Sequence, residues 1–295
     1  MKAEYYFRVA DCVFGLFCDF QMEVGALLPS YRSFVINEAS ADLFTMQIYT
    51  TSQDFVRQSS FSLILEDTND MGHLLLYKGP DNYCLVVGNT LSGKSHVMFA
   101  SADFKEMEVF IREGDSFWGD SLNSMIRFAF SQAILSRKGV SIHASAICVD
   151  DEAYIFMGKS GTGKSTHACL WKQYVKGAKL LNDDNPTIRL TEDGRIMVYG
   201  TPWSGKTPCY INWCAELKGT VRLYQADKNS FVGLTGIEAF MELLPGCMAF
   251  PAASELYEKM CDLLEIIANS SVVIGRLYCL PQEEAALLCY RKIKK

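Results

Sequence analysis

No uninterrupted apolar run of about 18 residues occurs anywhere in the chain, so no membrane-spanning helix is expected. The first twenty residues have an apolar cast, but Arg8 and Asp11 break it and Lys2 alone supplies a basic start, so no secretion signal is expected either. Basic residues are the minority: 28 Lys and Arg face 34 Asp and Glu, for a net charge of -6 and a pI near 5.3. That balance excludes a protein whose main work is gripping nucleic-acid phosphates, though not a local basic pocket. There is no C-x-x-C pair, and the 11 cysteines are odd in number, which argues against a disulfide framework or a zinc site. Reduced, mostly buried thiols in a cytoplasmic protein are the expectation. Internal repeats and low-complexity segments are also missing. With 49% hydrophobic and 21% charged residues, the composition excludes disorder, collagen-like sequence and coiled coil.

What is present suits an ordinary globular chain. At 295 residues about 75% of the unfolded surface is hidden on folding, enough for one large or two ordinary domains. Up to Trp118 the sequence reads as short apolar or alternating runs rich in β-branched and aromatic residues, separated by turns such as Leu28-Pro29-Ser30 and Gly79-Pro80-Asp81-Asn82. From Gly119 a helical spacing of Met125, Phe128, Ala129, Gln132 and Ala133 runs to Lys138-Gly139, and beyond it strands alternate with helices. The expected organisation is a mostly antiparallel β recognition or accessory domain over 1–118, followed by an α/β catalytic domain over 119–295.

The pattern G-x-x-x-x-G-K-[ST] occurs three times, at Gly88–Ser95, Gly158–Ser165 and Gly200–Thr207. It binds phosphate only when it leaves a strand and opens a helix, because the loop N–H groups and the helix N-terminus must converge on the anion. The first match runs straight into His96-Val97-Met98-Phe99-Ala100, another strand, and so reads as a hairpin. The third carries Pro202 inside the loop, where a donor is lost, and Pro208 directly after Thr207. The second satisfies every requirement. A strand Ala153–Met157 leads into Gly158-Lys159-Ser160-Gly161-Thr162-Gly163-Lys164-Ser165-Thr166, and a helix follows with Ala168, Trp171 and Val175 at helical spacing. In that setting Lys164 meets the β and γ phosphates of ATP and Ser165 holds Mg²⁺.

Leu180-Leu181-Asn182-Asp183-Asp184-Asn185 places two acids at the end of the next expected strand, where one can hold metal and the other take a hydroxyl proton. By composition alone the same stretch is turn chemistry. His143, on an expected strand Val140–Val149, shares a polar face with Ser141 and Ser145, and a core histidine is as consistent with this pattern as a site residue.

The ordered set Ser141-Ile142-His143, then Gly158 to Ser165, then Leu181-Asn182-Asp183-Asp184, resembles the catalytic domain of HPr kinase/phosphorylase and, more distantly, phosphoenolpyruvate carboxykinase. The resemblance covers about residues 120 to 292. It implies a P-loop α/β fold of that type and a kinase using ATP and Mg²⁺. It further implies Asp183 as general base with His143 beside it, Asp184 and Ser165 at the metal, and Lys164 on phosphate. Where HPr kinases carry a Glu-Ile-Arg-Gly type signature, this chain has Met197-Val198-Tyr199-Gly200 followed by Thr201 to Lys206. The β-rich first half is similar, more faintly, to HPr-kinase-related proteins found with ribosomally made peptides. The Gly200–Thr207 loop is expected on the acceptor side, with Lys206 meeting the transferring phosphoryl group or an acidic acceptor segment.

The reading is therefore a phosphotransferase acting on a hydroxyl, with serine of a protein or peptide as the expected acceptor. The expected partners include neither nucleic acid nor membrane, and self-association is left open. A nucleotide-responsive scaffold and a small-molecule or carboxykinase-like kinase stand as alternatives.

Overall fold

The computed structural model describes residues 3–37, 40–55, 59–205, 207–251 and 253–294. It divides into two compact units, Met1–Ser136 and Arg137–Lys295. Among the described residues the fold is mixed α/β, with two large mixed sheets and six α-helices.

The first unit holds β1 (Ala3–Val9), β2 (Cys12–Cys18), a single turn α1 (Val24–Leu27), β3 (Val35–Ile36), β4 (Phe44–Thr51), β5 (Ser62–Asn69), β6 (Gly72–Lys78), β7 (Asn82–Gly88), β8 (Ser95–Ser101), β9 (Glu106–Arg112) and α2 (Trp118–Ala133). Its nine strands run in the order β3-β1-β2-β4-β9-β8-β7-β6-β5. The pairs are antiparallel except β2 with β4 and β4 with β9, which are parallel. Strand alternation sets the faces: along β9, Met107, Val109 and Ile111 are buried while Glu106 and Glu108 are exposed. Helix α2 packs on β7, β8 and β9. Its Phe128 lies against Phe104 and its Phe130 against Phe14. The apolar stripe of α2 is thus used within the first unit, and the compact units part after this helix, whereas the composition shift lies before it, at 118/119.

The second unit holds β10 (Gly139–Ser141), β11 (Ala144–Val149), β12 (Glu152–Met157), α3 (Lys164–Tyr174), β13 (Lys179–Asp184), β14 (Thr187–Leu190), β15 (Ile196–Tyr199), β16 (Cys214–Gln225), β17 (Ser230–Leu234), α4 (Gly236–Leu243), α5 (Ser254–Ala268), β18 (Val273–Cys279) and α6 (Glu283–Ile293). The sheet order is β10-β14-β15-β16-β12-β11-β13, with β18 on β16 and β17 on β18. Parallel pairing joins β12, β16 and β18. On one face Tyr154, Phe156, Val221, Leu223 and Leu277 meet Ala168 and Trp171 of α3 and Ala286, Cys289 and Ile293 of α6.

The expected strand Val140–Val149 is two strands. Gly139–Ser141 pairs with β14 and Ala144–Val149 with β12 and β13. One antiparallel register nevertheless runs through the break, from Gly139↔Arg189 and Ser141↔Thr187 to Ala144↔Asp184 and Ala146↔Asn182. Ile142 and His143 face Asn185 and Pro186 at the interruption, where the proline has no N–H for the ladder. Segment 246–248 takes over there. The His143 N–H donates to the Gly246 carbonyl at 2.7 Å, and the Met248 N–H to the Ser141 carbonyl at 3.1 Å. The break in the ladder therefore brings His143 beside Asp184.

Candidate active site

The three matches to the phosphate-loop pattern have three different structures. Gly88–Ser95 is the connection of an antiparallel hairpin, β7 to β8. Lys94 there donates to the Glu113 carbonyl at 2.9 Å, and Ser92 and His96 both bond Asp115 Oδ2. His96 is fully buried, with the Arg112 N–H donating to its Nδ1. These groups serve the hairpin. Lys94→Ala is accordingly expected to leave nucleotide binding unchanged in a titration of the folded protein, and a loss of binding would move the site to the first unit.

Gly200–Thr207 leaves β15, but among the described residues no helix or strand intervenes before β16. The loop is instead fastened to the end of β13. Asn182, fully buried, donates from Nδ2 to the Trp203 carbonyl at 3.0 Å and to Thr201 Oγ1 at 3.2 Å. Its Oδ1 accepts the N–H groups of Asp184 and Asn185. The Gly205 N–H donates to the Asp183 carbonyl at 2.7 Å, and Ser204 forms a bridge with Asp184. A Cβ at Gly200 would run into the carbonyl oxygens of Ile211 and Leu181, so only glycine permits this approach. The loop expected on the acceptor side does lie at the acid pair, while Lys206 lies outside the described residues.

The Gly158–Ser165 match has the strand, loop and helix that the chemistry needs: β12 ends at Met157 and α3 begins at Lys164. Gly158 has φ +155°, and a Cβ there would collide with Thr162 Oγ1, while Gly163 caps α3 in the left-handed region at φ +100°. The N–H groups of Ser160, Gly161 and Gly163 make no hydrogen bond among the described residues. Lys164 is buried and folds back over the loop, donating to the carbonyls of Gly158 at 3.1 Å and Lys159 at 3.4 Å. Burial lowers its pKa, with the charge of Arg222 acting the same way; the carboxylates of Asp184 and Asp183 oppose this. Asp184 stands in register, through Ala144, with Met157 at the start of the loop, so the acid pair lies at the loop end of the sheet. Ser165 and Thr166 are exposed in the first turn of α3.

Alternation along β13 sends Asp183 and Asp184 to opposite faces, and each finds a different partner. Asp183 stands opposite Ser145 in the β11 register and is buried at 3% exposure, with Ser145 Oγ donating to its Oδ1 at 2.6 Å. Its Oδ2 is buried with no hydrogen-bond partner. Asp184 Oδ1 lies 3.1 Å from His143 Nδ1. The resemblance implied His143 beside Asp183; the structure pairs it with Asp184, because His143 lies outside the strand at the ladder break while Ser145 occupies the place facing Asp183.

A cleft of about 620 Å³ adjoins the loop and α3, walled by Thr166, Leu170, Leu223, Gln225, Asp227 and Leu280. Gln225 Nε2 donates to the Gly161 carbonyl at 3.4 Å. His167, on the same wall, is 3% exposed and accepts the Trp171 Nε1–H at 3.0 Å, and burial depresses its pKa to about 4. It stays neutral when folded yet would protonate near 6.5 when unfolded, so its contribution is fully present above pH 6.5 and is lost as the pH falls towards 4. The loss by pH 4 is about 3 kcal/mol. Urea unfolding at pH 7 and pH 4 should show His167→Gln, which keeps an acceptor for Trp171, losing about 3 kcal/mol less across that interval than the parent.

Residues that the sequence reading passed over complete the surroundings. Arg222, in register with the last residue before the loop, is buried with its ion-pair partner Glu242, and Gly246 holds His143 through its carbonyl. Arg222 had a signal, a single arginine within the apolar stretch Thr220-Val221-Arg222-Leu223-Tyr224, in a strand that was not anticipated.

No protein-family model and no curated protein matches the chain. Among solved structures it is similar to the HPr(Ser) kinase/phosphatase from Coxiella burnetii, with 11% identity and a TM-score of 0.30, over 52% of this chain and 88% of that one. That protein carries the name of the family the sequence resembles. A likeness of this size leaves the functional reading to the residues themselves.

Proposed function

We propose that the second unit is an ATP- and Mg²⁺-dependent phosphotransferase acting on a hydroxyl, with serine of a protein or peptide as the acceptor. The observation that carries this reading is a cation in a strand–loop–helix cradle with Asp183 and Asp184 at the end of β13, which lies one strand beyond β12 and is in register, through Ala144 of β11, with the end of β12. A phosphate cradle alone would suit any nucleotide binder; a buried carboxylate with a free oxygen beside it suits transfer.

The unused N–H groups of the loop and the N-terminus of α3 suit the polyphosphate, with Lys164 turning from the loop carbonyls to the β and γ phosphates. The adjoining cleft has apolar walls in Leu170, Leu223 and Leu280 for a base and Asp227 for a sugar hydroxyl. Among the described residues no cluster of three His, Cys, Asp or Glu side chains forms a metal cage. Mg²⁺ on a nucleotide needs none, because it takes most ligands from phosphate and water and one or two protein oxygens. Ser165 and Asp184 are hard oxygen donors of that kind, and the metal, when bound, would neutralise charge on the phosphates. Asp183 is assigned as the base: Ser145 orients it through Oδ1, leaving Oδ2 to receive the acceptor's hydroxyl proton. His143 holds Asp184 in place.

Incubation of the protein with γ-labelled ATP, Mg²⁺ and a cell extract tests the reading. Label on a polypeptide is the expected result. Label on a metabolite would transfer the assignment to a small-molecule kinase, and no label at all would leave a nucleotide-responsive scaffold.

A further inference from the structure

Beside the glycine-rich loop lies a buried ionic cluster that neither the phosphate-loop pattern nor the acid pair includes. Along the sheet, residues in register share a face, and one such row runs Asp184, Ala144, Met157, Arg222, Arg276 across β13, β11, β12, β16 and β18. Met157 is the last residue before the loop, so the row passes beneath its start. At one end stands a carboxylate; at the other stand two guanidinium groups.

A single carboxylate serves both arginines. Glu242, 5% exposed near the end of α4, forms an ion pair through Oε1 with Arg222, 3.0 Å from its Nε, and accepts Arg276 Nε on Oε2 at 2.6 Å, and Tyr224 donates its hydroxyl to Oε1. The Glu242 carbonyl accepts Arg222 Nε and Nη2 as well, at 3.1 and 2.7 Å. Two cations against one anion leave a surplus positive charge. The Arg276 side chain is one-third exposed and hydrated, whereas that of Arg222 is 10% exposed, so the surplus falls on the group with less water. Arg222 Nη1 makes no hydrogen bond among the described residues, and Arg222 stands directly in register with Met157, the residue that precedes the loop.

We propose that Arg222 is a second phosphate-binding cation of the site, contacting the polyphosphate of the nucleotide through Nη1, and that Glu242 is its positioning residue. This rests on the nucleotide-binding reading given above. A guanidinium suits the task because its planar fork can hold the Glu242 carbonyl along one edge and present a further N–H to an anion. A bound polyphosphate would also supply the missing counter-charge to a group taken out of water.

The test measures ATP affinity by titration calorimetry on the full chain, with the parent protein and Lys164→Ala as references. Arg222→Gln is expected to weaken ATP binding about 10- to 100-fold, the worth of a charged hydrogen bond. Arg276→Gln, which breaks the other half of the same clamp at a hydrated position, is expected to stay within about threefold of the parent. Should Arg222→Gln fail to fold, Arg222→Lys keeps the charge and stem but not the fork, and is expected to lose more affinity than Arg276→Gln. Equal losses for Arg222 and Arg276 variants would make the cluster structural and overturn the proposal. So would unchanged affinity in the Arg222 variants while Lys164→Ala abolishes binding. If the parent protein bound no ATP, the nucleotide reading itself would fall, and this proposal with it.

Discussion

Lys164→Ala is expected to abolish measurable phosphoryl transfer and to weaken ATP binding, with the melting temperature little changed. The side chain is buried, yet its ammonium bonds only the carbonyls of Gly158 and Lys159, so its removal breaks no hydrogen-bonded ion pair and exposes no apolar core. What is lost is a preorganised cation on the transferring phosphate. Losing one such group costs about 10²- to 10³-fold in rate, and the weakened binding adds to that. Single-turnover transfer from labelled ATP, alongside a thermal melt, checks the outcome. Retention of transfer in the variant would remove the Gly158–Ser165 loop from the mechanism.

Asp183→Asn should leave nucleotide affinity nearly intact and lower transfer by about 10²- to 10⁴-fold, the usual worth of a positioned base. The substitution is conservative in space. Asn retains a carbonyl oxygen to accept from Ser145 Oγ, but its amide cannot take a proton where Asp183 Oδ2 now stands buried and unpartnered. Asp184→Asn should behave differently: it loses the charge opposite His143 and the metal-side oxygen, so the requirement for Mg²⁺ rises while the base survives. Near-normal turnover in Asp183→Asn, measured over a single turnover, would pass the base role to Asp184.

Much of the site was legible because its chemistry is local in sequence. The glycines at 158, 161 and 163 announce a backbone only they adopt, and the strand before and helix after them follow from short-range pattern. Asn182-Asp183-Asp184-Asn185 was harder to read, since turn composition and a functional strand end look alike. In the structure the stretch closes strand β13, and the side chain of Asn182 fastens the 201–203 segment there, a contact between residues about twenty positions apart. The break at Ile142-His143 was not legible at all, because an alternating run predicts a continuous strand and gives no sign that its two halves change neighbours.

By itself, then, the sequence determined what depends on near neighbours: the strand-rich character of the first unit, the strand–loop–helix at 152–174 and the hairpin character of 88–95. Tertiary structure decided which groups meet. It placed α2 with the first unit through its packing, gave His143 to Asp184 and Ser145 to Asp183, and set Arg222 level with Met157 and in an ion pair with Glu242. The physical reason is that strand register and parallel crossovers are set by the burial of whole faces at once. β16, the strand that carries Arg222, pairs with β12 and β18 across more than fifty residues of sequence, and no local pattern specifies that pairing.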